Sequence, residues 1–232
     1  MGNENYPAIV LAGGLGTRLR SVINDLPKPM APVNGKPFLH YIFQYLKQEG
    51  IRDVILSVGY KHETIEEFFG KEYLGIKIQY SVEEEPLGTG GGIKQAFDLV
   101  SGAAYVLNGD TFFGVNLWAL QEYYFESSSD MVLALKHLHN FDRYGTVQLN
   151  DEYRITKFDE KKLVAEGCIN GGIYFFDKKL FDKVETGVKF SFEKEILERY
   201  TGELKFSGKA FDGYFIDIGI PEDYNKAQHD FK

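Results

Sequence analysis

Cysteine occurs once in these 232 residues, at Cys168, so no internal disulfide can staple the fold. Set in an apolar run, Cys168 reads as a buried filler and not as a nucleophile. Long apolar runs are missing too. No stretch approaches the length needed to span a bilayer, and the opening residues MGNENYP contain no signal-like apolar region. Positive charge is in deficit, with 26 Lys and Arg against 34 Asp and Glu and a net charge of −8. No basic stripe appears, which disfavours a nucleic-acid partner. A cytoplasmic location with no membrane partner is the expectation. Internal repeats, low-complexity segments and linkers are absent. The five histidines are scattered without metal-ligand spacing, and no Ser/His/Asp or Cys/His arrangement supports covalent catalysis.

What is present suits one domain with a sizeable core. Aromatics are abundant, 15 Tyr and 19 Phe, enough to pack a dense sheet and to permit a homodimer contact. Apolar runs at residues 8–11, 54–58, 76–82, 104–107 and 131–135 read as strands. Between them, residues 37–50, 62–69, 90–100 and 117–125 carry helical patterning or helix stop signals. Such β-α-β alternation predicts an α/β fold: a Rossmann-like three-layer α/β/α sandwich around a mostly parallel, mixed sheet. From residue 144 the texture changes. A hairpin is expected around Asn150-Asp151, then a strand at residues 169–176 interrupted by Gly171-Gly172, a helix at 192–200 and strands at 204–206 and 214–218. A final helix runs from Pro221, since proline suits a first helical turn. One domain results, with a first part at about residues 1–140 and a second at about 141–232.

Residues 11–30 read LAGGLGTRLRSVINDLPKPM. Glycines after a buried strand let backbone N–H groups approach an anion, and a helix opened by such a loop favours phosphate. Arg18 and Lys28 would meet a polyphosphate from the side. The loop is neither a Walker A motif nor a dinucleotide fingerprint, because Thr17-Arg18 and Leu19 stand at the diagnostic places. Asp110 and Asp217 each end an apolar strand, where a carboxylate is costly unless paired or bound to metal. Either alone could cap a turn. Together with the glycine loop they suit Mg²⁺, which takes oxygen ligands from carboxylates and phosphates.

Gly-x-Gly-Thr-Arg, followed about ten residues on by Pro-Lys, resembles the signature of the sugar-1-phosphate nucleotidyltransferases, and the resemblance runs from Leu11 to Tyr224. It implies the nucleotide-diphospho-sugar transferase fold and transfer of a nucleotidyl group from a nucleoside triphosphate to a sugar 1-phosphate. Arg18 and Lys28 would be catalytic, and Asp110 and Asp217 would hold Mg²⁺. Leu11, Ala12, Gly13, Gly14, Gly16 and Thr17 would line the nucleotide, joined by Gly88 and Thr89 of the Leu-Gly-Thr-Gly stretch. Glu160-Lys161 resembles the family's Glu-Lys pair for a sugar hydroxyl and the sugar phosphate, although Lys162 replaces the usual proline. Asn170 and Gly171 resemble its Asn-x-Gly sugar turn, and Gly145 the glycine on which a hexose ring packs. His137 and His139 alternate as on a strand and read as structural or sugar-side residues.

Glu83 carries a base preference. Guanine offers two adjacent donors that a carboxylate can accept together, whereas uracil and thymine offer one donor between two acceptors. The expectation is therefore GTP. Within the family, residues 25–33 and 35–39 look most like members that use a heptose 1-phosphate, with N-acetylmuramate 1-phosphate uridylyltransferases similar over the same stretch. Two alternatives stand beside this reading. One is a uridylyl- or thymidylyltransferase acting on a hexose or N-acetylmuramate 1-phosphate. The other is a non-catalytic nucleotide-sugar-binding regulatory protein, which should have lost part of the charged set that this chain retains.

Overall fold

A computed structural model describes residues 5–14 and 26–231. In chain order these form β1 (Ala8–Leu11), β2 (Pro32–Val33), β3 (Lys36–Pro37), α1 (Phe38–Gln48), β4 (Asp53–Val58), α2 (His62–Phe69), β5 (Glu72–Tyr73), β6 (Ile76–Val82), α3 (Gly88–Ala96), β7 (Ala103–Asn108) and β8 (Thr111–Phe113). They continue as α4 (Leu117–Ser127), β9 (Met131–Phe141), β10 (Val147–Leu149), β11 (Ile155–Phe158), β12 (Val164–Asp177), β13 (Phe206–Phe211), β14 (Phe215–Asp217) and α5 (Pro221–Asp230). Eight strands make one sheet in the order β13-β9-β12-β7-β1-β4-β6-β5. β12 and β5 run against the other six.

Strand alternation divides the core. Ala8 and Val10 of β1 enter one apolar cluster and Ile9 the other. β7 repeats this, with Tyr105 and Leu107 on the first face and Ala104 and Val106 on the second. Helices α1, α2, α4 and α5 cover the first face through residues such as Phe43, Ile65, Leu120 and Ala227. α3, with Ile93 and Ala96, covers the second beside Leu180, Ile196 and Leu197. Each fully buried Phe or Ile side chain contributes about 1.5–3 kcal/mol, so both layers are held by many contacts of similar size. No helix among the described residues is long and apolar enough to cross a membrane.

The strand order places the ligand crevice. From β1 the chain moves outward to β4 and β6, then returns to the other side of β1 as β7. The sheet therefore reverses its winding between β1 and β7, and α/β sheets bind ligands outside the strand ends at such a point. The glycine loop leaves β1 there, and Gly109-Asp110 leaves β7.

Three expectations need correcting. The strand expected at residues 204–206 lies instead at Phe206–Phe211. Its middle, Ser-Gly-Lys-Ala, is not an apolar run: β13 is an edge strand whose ladder is with β9, its outer side meeting only a short bridge from Tyr153 and Arg154. β9 also runs past residue 135 to Phe141, since β12 continues to pair with it as a two-stranded ribbon. The expected helix at residues 192–200 contains a π-helical turn, Glu193–Glu198.

Candidate active site

Lys28 lies at the centre of the charged cluster. Its Nζ donates to Asp110 Oδ2 at 2.5 Å and to Asp217 Oδ1 at 3.4 Å. The three residues stand far apart in sequence. Asp110 leaves β7 at the switch point, and Gly109 N donates to the Leu11 carbonyl at 2.9 Å, tying that turn to the end of β1. Asp217 arrives through pairing of β14 with β8, in which Asp217 stands opposite Thr111. Ile218 N donates to the Asp110 carbonyl at 3.0 Å, and Gly219 N to Asp217 Oδ1 at 2.8 Å. Lys28 itself sits in a short 3-10 turn whose Pro29 and Met30 are buried, which fixes its backbone.

The electrostatics of this cluster are those of crowded acids. Burial raises the Asp217 carboxyl above the usual carboxylate range, and the Asp110 charge raises it further, while Lys28 opposes both. Two carboxylates sharing one ammonium still carry net negative charge. The oxygen donors are hard, so the pair fits a hard divalent cation such as Mg²⁺. Tyr144 reports the same field: burial and the Asp217 charge push its hydroxyl up to about 12.

Two cavities flank the cluster. The larger, about 790 Å³, is lined by Gly145, Glu160, Lys161, Asn170, Gly171 and Asp217, so the five residues expected to bind the sugar phosphate line one space, and His137 lines another. A narrower cavity of about 170 Å³ is lined by Leu11, Gly14, Lys28, Thr89 and Asp110. Asn108 and Glu193 line both. Gly16, Thr17 and Arg18 lie outside the described residues.

Local geometry explains why these positions carry the residues they do. β12 bulges between Asn170 and Tyr174, placing Gly171, Gly172 and Ile173 against the single Ala134 of β9. A bulge bends a strand and redirects side chains. Gly172 supplies the positive φ of 74° that the bulge requires. The Asn170 side chain closes it, accepting from Gly172 N at 3.0 Å and donating to the Tyr174 hydroxyl at 2.9 Å. Gly145 faces a different constraint. A Cβ there would stand 2.1 Å from the Asp159 carbonyl oxygen. Asp159 is in turn held by the Thr146 hydroxyl at 3.1 Å, Gln148 at 2.8 Å and Lys157 at 2.7 Å. Those bonds hold its carboxyl at about 2, with Lys157 contributing most. The next two residues are Glu160 and Lys161, so this anchor sets their position.

On the other side, Glu83 follows β6. Its Oε2 accepts from Leu87 N at 2.9 Å and its Oε1 from the Ser57 hydroxyl at 3.3 Å. With Gly13, Gly59 and Tyr60 it lines a cavity of about 410 Å³. Thr89 is committed internally: its hydroxyl donates to Glu193 Oε2 at 2.7 Å and accepts from Phe192 N at 2.9 Å. Ala12 N likewise donates to the Ser57 carbonyl at 2.7 Å. Gly88 has a φ of 76°, and the Phe190 carbonyl accepts from Gly90 N at 3.0 Å.

The sequence reading missed Asn108, Thr111 and Glu193. Asn108 had a usable signal, since it precedes the Gly-Asp pair at the end of an apolar strand. Glu193 had none, because only tertiary folding brings residues 190–193 against α3. Two of the five histidines also assemble with Glu166 in a way that spacing along the chain conceals. His137, His139 and Glu166 stand on the β9–β12 ribbon with their ligand atoms all within 4.8 Å of one another.

Comparison with known proteins gives concordant results. The family model described as nucleotidyl transferase matches residues 7–232. The chain is 54% identical over 217 residues to the D-glycero-alpha-D-manno-heptose 1-phosphate guanylyltransferase of Campylobacter jejuni, covering 94% of this chain and 96% of that one. It is 53% identical over 226 residues to the enzyme of the same name from Aneurinibacillus thermoaerophilus, covering 97% and 98%. The crystal structure of HddC from Yersinia pseudotuberculosis complexed with GMP-PN superposes with a TM-score of 0.88 at 38% identity, covering 98% of this chain and 100% of that one.

Proposed function

The chain belongs to the nucleotidyl transferase family, and from that premise we propose that it joins GTP to D-glycero-α-D-manno-heptose 1-phosphate, releasing pyrophosphate. The observation that carries the reading is Lys28, set between Asp110 and Asp217 where a cavity lined by Lys161 meets one lined by the glycine loop. A metal–phosphate centre between a nucleotide side and a sugar side is what nucleotidyl transfer requires.

The sugar phosphate is already ionised near neutral pH, so attack needs no general base. One of its oxygens attacks the α-phosphorus of GTP in line. The bond from that phosphorus to the β-phosphate bridging oxygen breaks, and the electron pair leaves with pyrophosphate. Asp110 and Asp217 would hold Mg²⁺, which supplies charge neutralisation on the phosphate oxygens. Lys28, reaching from the same cluster, would meet both the α-phosphate and the attacking phosphate. Lys161 would hold the sugar phosphate, with Glu160 and Asn170 accepting or donating to sugar hydroxyls. The glycines of residues 13–16 and Arg18 would serve the triphosphate. Such chemistry rests on positioning and charge stabilisation.

Glu83 would read guanine. A carboxylate offers about four acceptor positions, and Leu87 N and Ser57 occupy two. Glu83→Gln keeps an oxygen for Leu87 N but loses the charge and half the acceptor capacity. It should lower kcat/KM for GTP by roughly 10²-fold with little change in thermal midpoint. Unchanged GTP kinetics in this variant would remove Glu83 from base recognition.

Gly145→Ala tests the sugar side. The new methyl meets a backbone carbonyl and not a yielding side chain, so the Asp159–Lys161 segment must move. A displacement of about 1 Å can cost roughly 10²-fold. The loss should appear in kcat/KM for the sugar phosphate, with the GTP dissociation constant unchanged.

The overall reading is tested by a matrix of GTP, UTP, dTTP and ATP against heptose, mannose, glucose and N-acetylmuramate 1-phosphates, scored by Mg²⁺-dependent pyrophosphate release. GTP with the heptose phosphate should dominate. A pyrimidine triphosphate dominating would favour the uridylyl or thymidylyl alternative, and no release with any pair would favour a non-catalytic binder.

A further inference from the structure

A second cluster of ligand-type side chains stands outside the proposed active site. In the antiparallel pairing of β9 with β12, His139 faces Glu166 and His137 faces Cys168. Residues two apart on a strand share a face, and so do directly paired residues. The ribbon therefore gathers His137, His139, Glu166 and Cys168 on one side. His137 Nε2 lies 3.0 Å from Glu166 Oε1. The two imidazole rings lie 4.8 Å apart at 76°. One ligand atom from each of His137, His139 and Glu166 falls within 4.8 Å of the others.

We propose that His137, His139 and Glu166 form a binding site for a divalent transition-metal ion of the zinc type. Two imidazoles and one carboxylate are an established donor set for Zn²⁺, with water completing a tetrahedron. The nitrogen donors select such an ion over Mg²⁺, which prefers an all-oxygen shell. On a tetrahedral zinc with bonds of about 2.0–2.1 Å, neighbouring ligand atoms lie about 3.3 Å apart. The His137–Glu166 pair already meets that spacing. His139 is exposed, so a modest side-chain rotation suffices to bring it in. Cys168 lines the adjoining cavity with His137 and Glu166, but burial raises its thiol, and the three-residue set stands without it.

The acids of the proposed active site are the main competitor for added metal. Saturating Mg²⁺ occupies such hard carboxylates while leaving imidazoles available. The test therefore uses the full chain without a histidine tag, equilibrated with ZnCl₂ in Mg²⁺-rich buffer and dialysed, with bound zinc measured by elemental analysis. One zinc per chain at micromolar dissociation constant is expected. Affinity should fall tenfold or more in His139→Ala and again in Glu166→Ala. Both side chains are solvent-exposed, Glu166 by 61%, so the variants should melt like the parent without metal. Added zinc should raise the melting temperature of the parent, whose two strands it joins, and not that of His139→Ala. Wild-type stoichiometry and affinity in both variants would overturn the proposal, as would failure of the parent chain to retain zinc.

Discussion

Asp110→Asn is expected to lower turnover roughly 10³-fold or more while leaving the melting temperature nearly unchanged. The side chain keeps its size, and its one oxygen can take the place of Asp110 Oδ2 and accept from Lys28, while its NH2 turns to the Thr111 hydroxyl, which can accept. Lys28 keeps Asp217. The substitution also removes the Asp110 charge that pushes the Asp217 carboxyl up, so Asp217 should titrate closer to an ordinary carboxylate. Stability and activity thus part company: a repulsion is relieved, but the site loses half its charge for a cation. Pyrophosphate release at saturating Mg²⁺ measures the first, and thermal melting the second. Near-parental turnover in the folded variant would remove Asp110 from the chemistry.

Lys28→Ala should cost roughly 10²–10³-fold in turnover, for a different reason. It deletes the one cation that the described residues place between Asp110 and Asp217. The two acids then face each other uncompensated, and the Asp217 carboxyl should rise further. Lys28→Met, which keeps most of the side-chain stem, should be as inactive but more stable, because the lysine side chain is only 15% exposed and its stem packs in the cluster. The informative measurement is the double variant. Groups that act as a unit are strongly non-additive, so Lys28→Ala with Asp110→Asn should lose little beyond the worse single change. Fully multiplicative losses would mean that Lys28 and Asp110 act on separate steps, against the cluster as drawn.

The central strands of the sheet were read correctly for a common reason. β1, β4 and β7 are covered on both faces, so their residues form continuous apolar runs with turn signals at the ends. β13 failed because it lies at a sheet edge, where only β9 forms a full ladder with it and Ser207, Gly208 and Lys209 leave no apolar run. The far half of β9 failed similarly, since Lys136, His137, His139 and Asn140 carry no apolar pattern and are strand only through pairing with β12. The site was legible where a residue type is tied to a local motif. The Gly-Asp pair, the Glu-Lys pair and the Asn-Gly-Gly stretch were singled out this way, and the structure brings them around two adjoining cavities. Glu193 was not, because its meeting with Thr89 joins segments 104 residues apart.

By itself the sequence pointed to the class of chemistry through a family resemblance carried by local patterns: a glycine loop with two cations, two acids ending apolar strands, a lysine after an acid, and a glutamate expected to suit guanine. Each is a short-range pattern set by backbone freedom, burial cost or donor geometry. Only the tertiary structure decided which of them meet. Lys28 touches both Asp110 and Asp217, 82 and 189 residues away, because the sheet reverses its winding between β1 and β7 and β14 pairs with β8. His139 meets Glu166 because β9 and β12 settle in one register. Strand order and register are fixed by long-range burial of whole faces, and no local pattern encodes them.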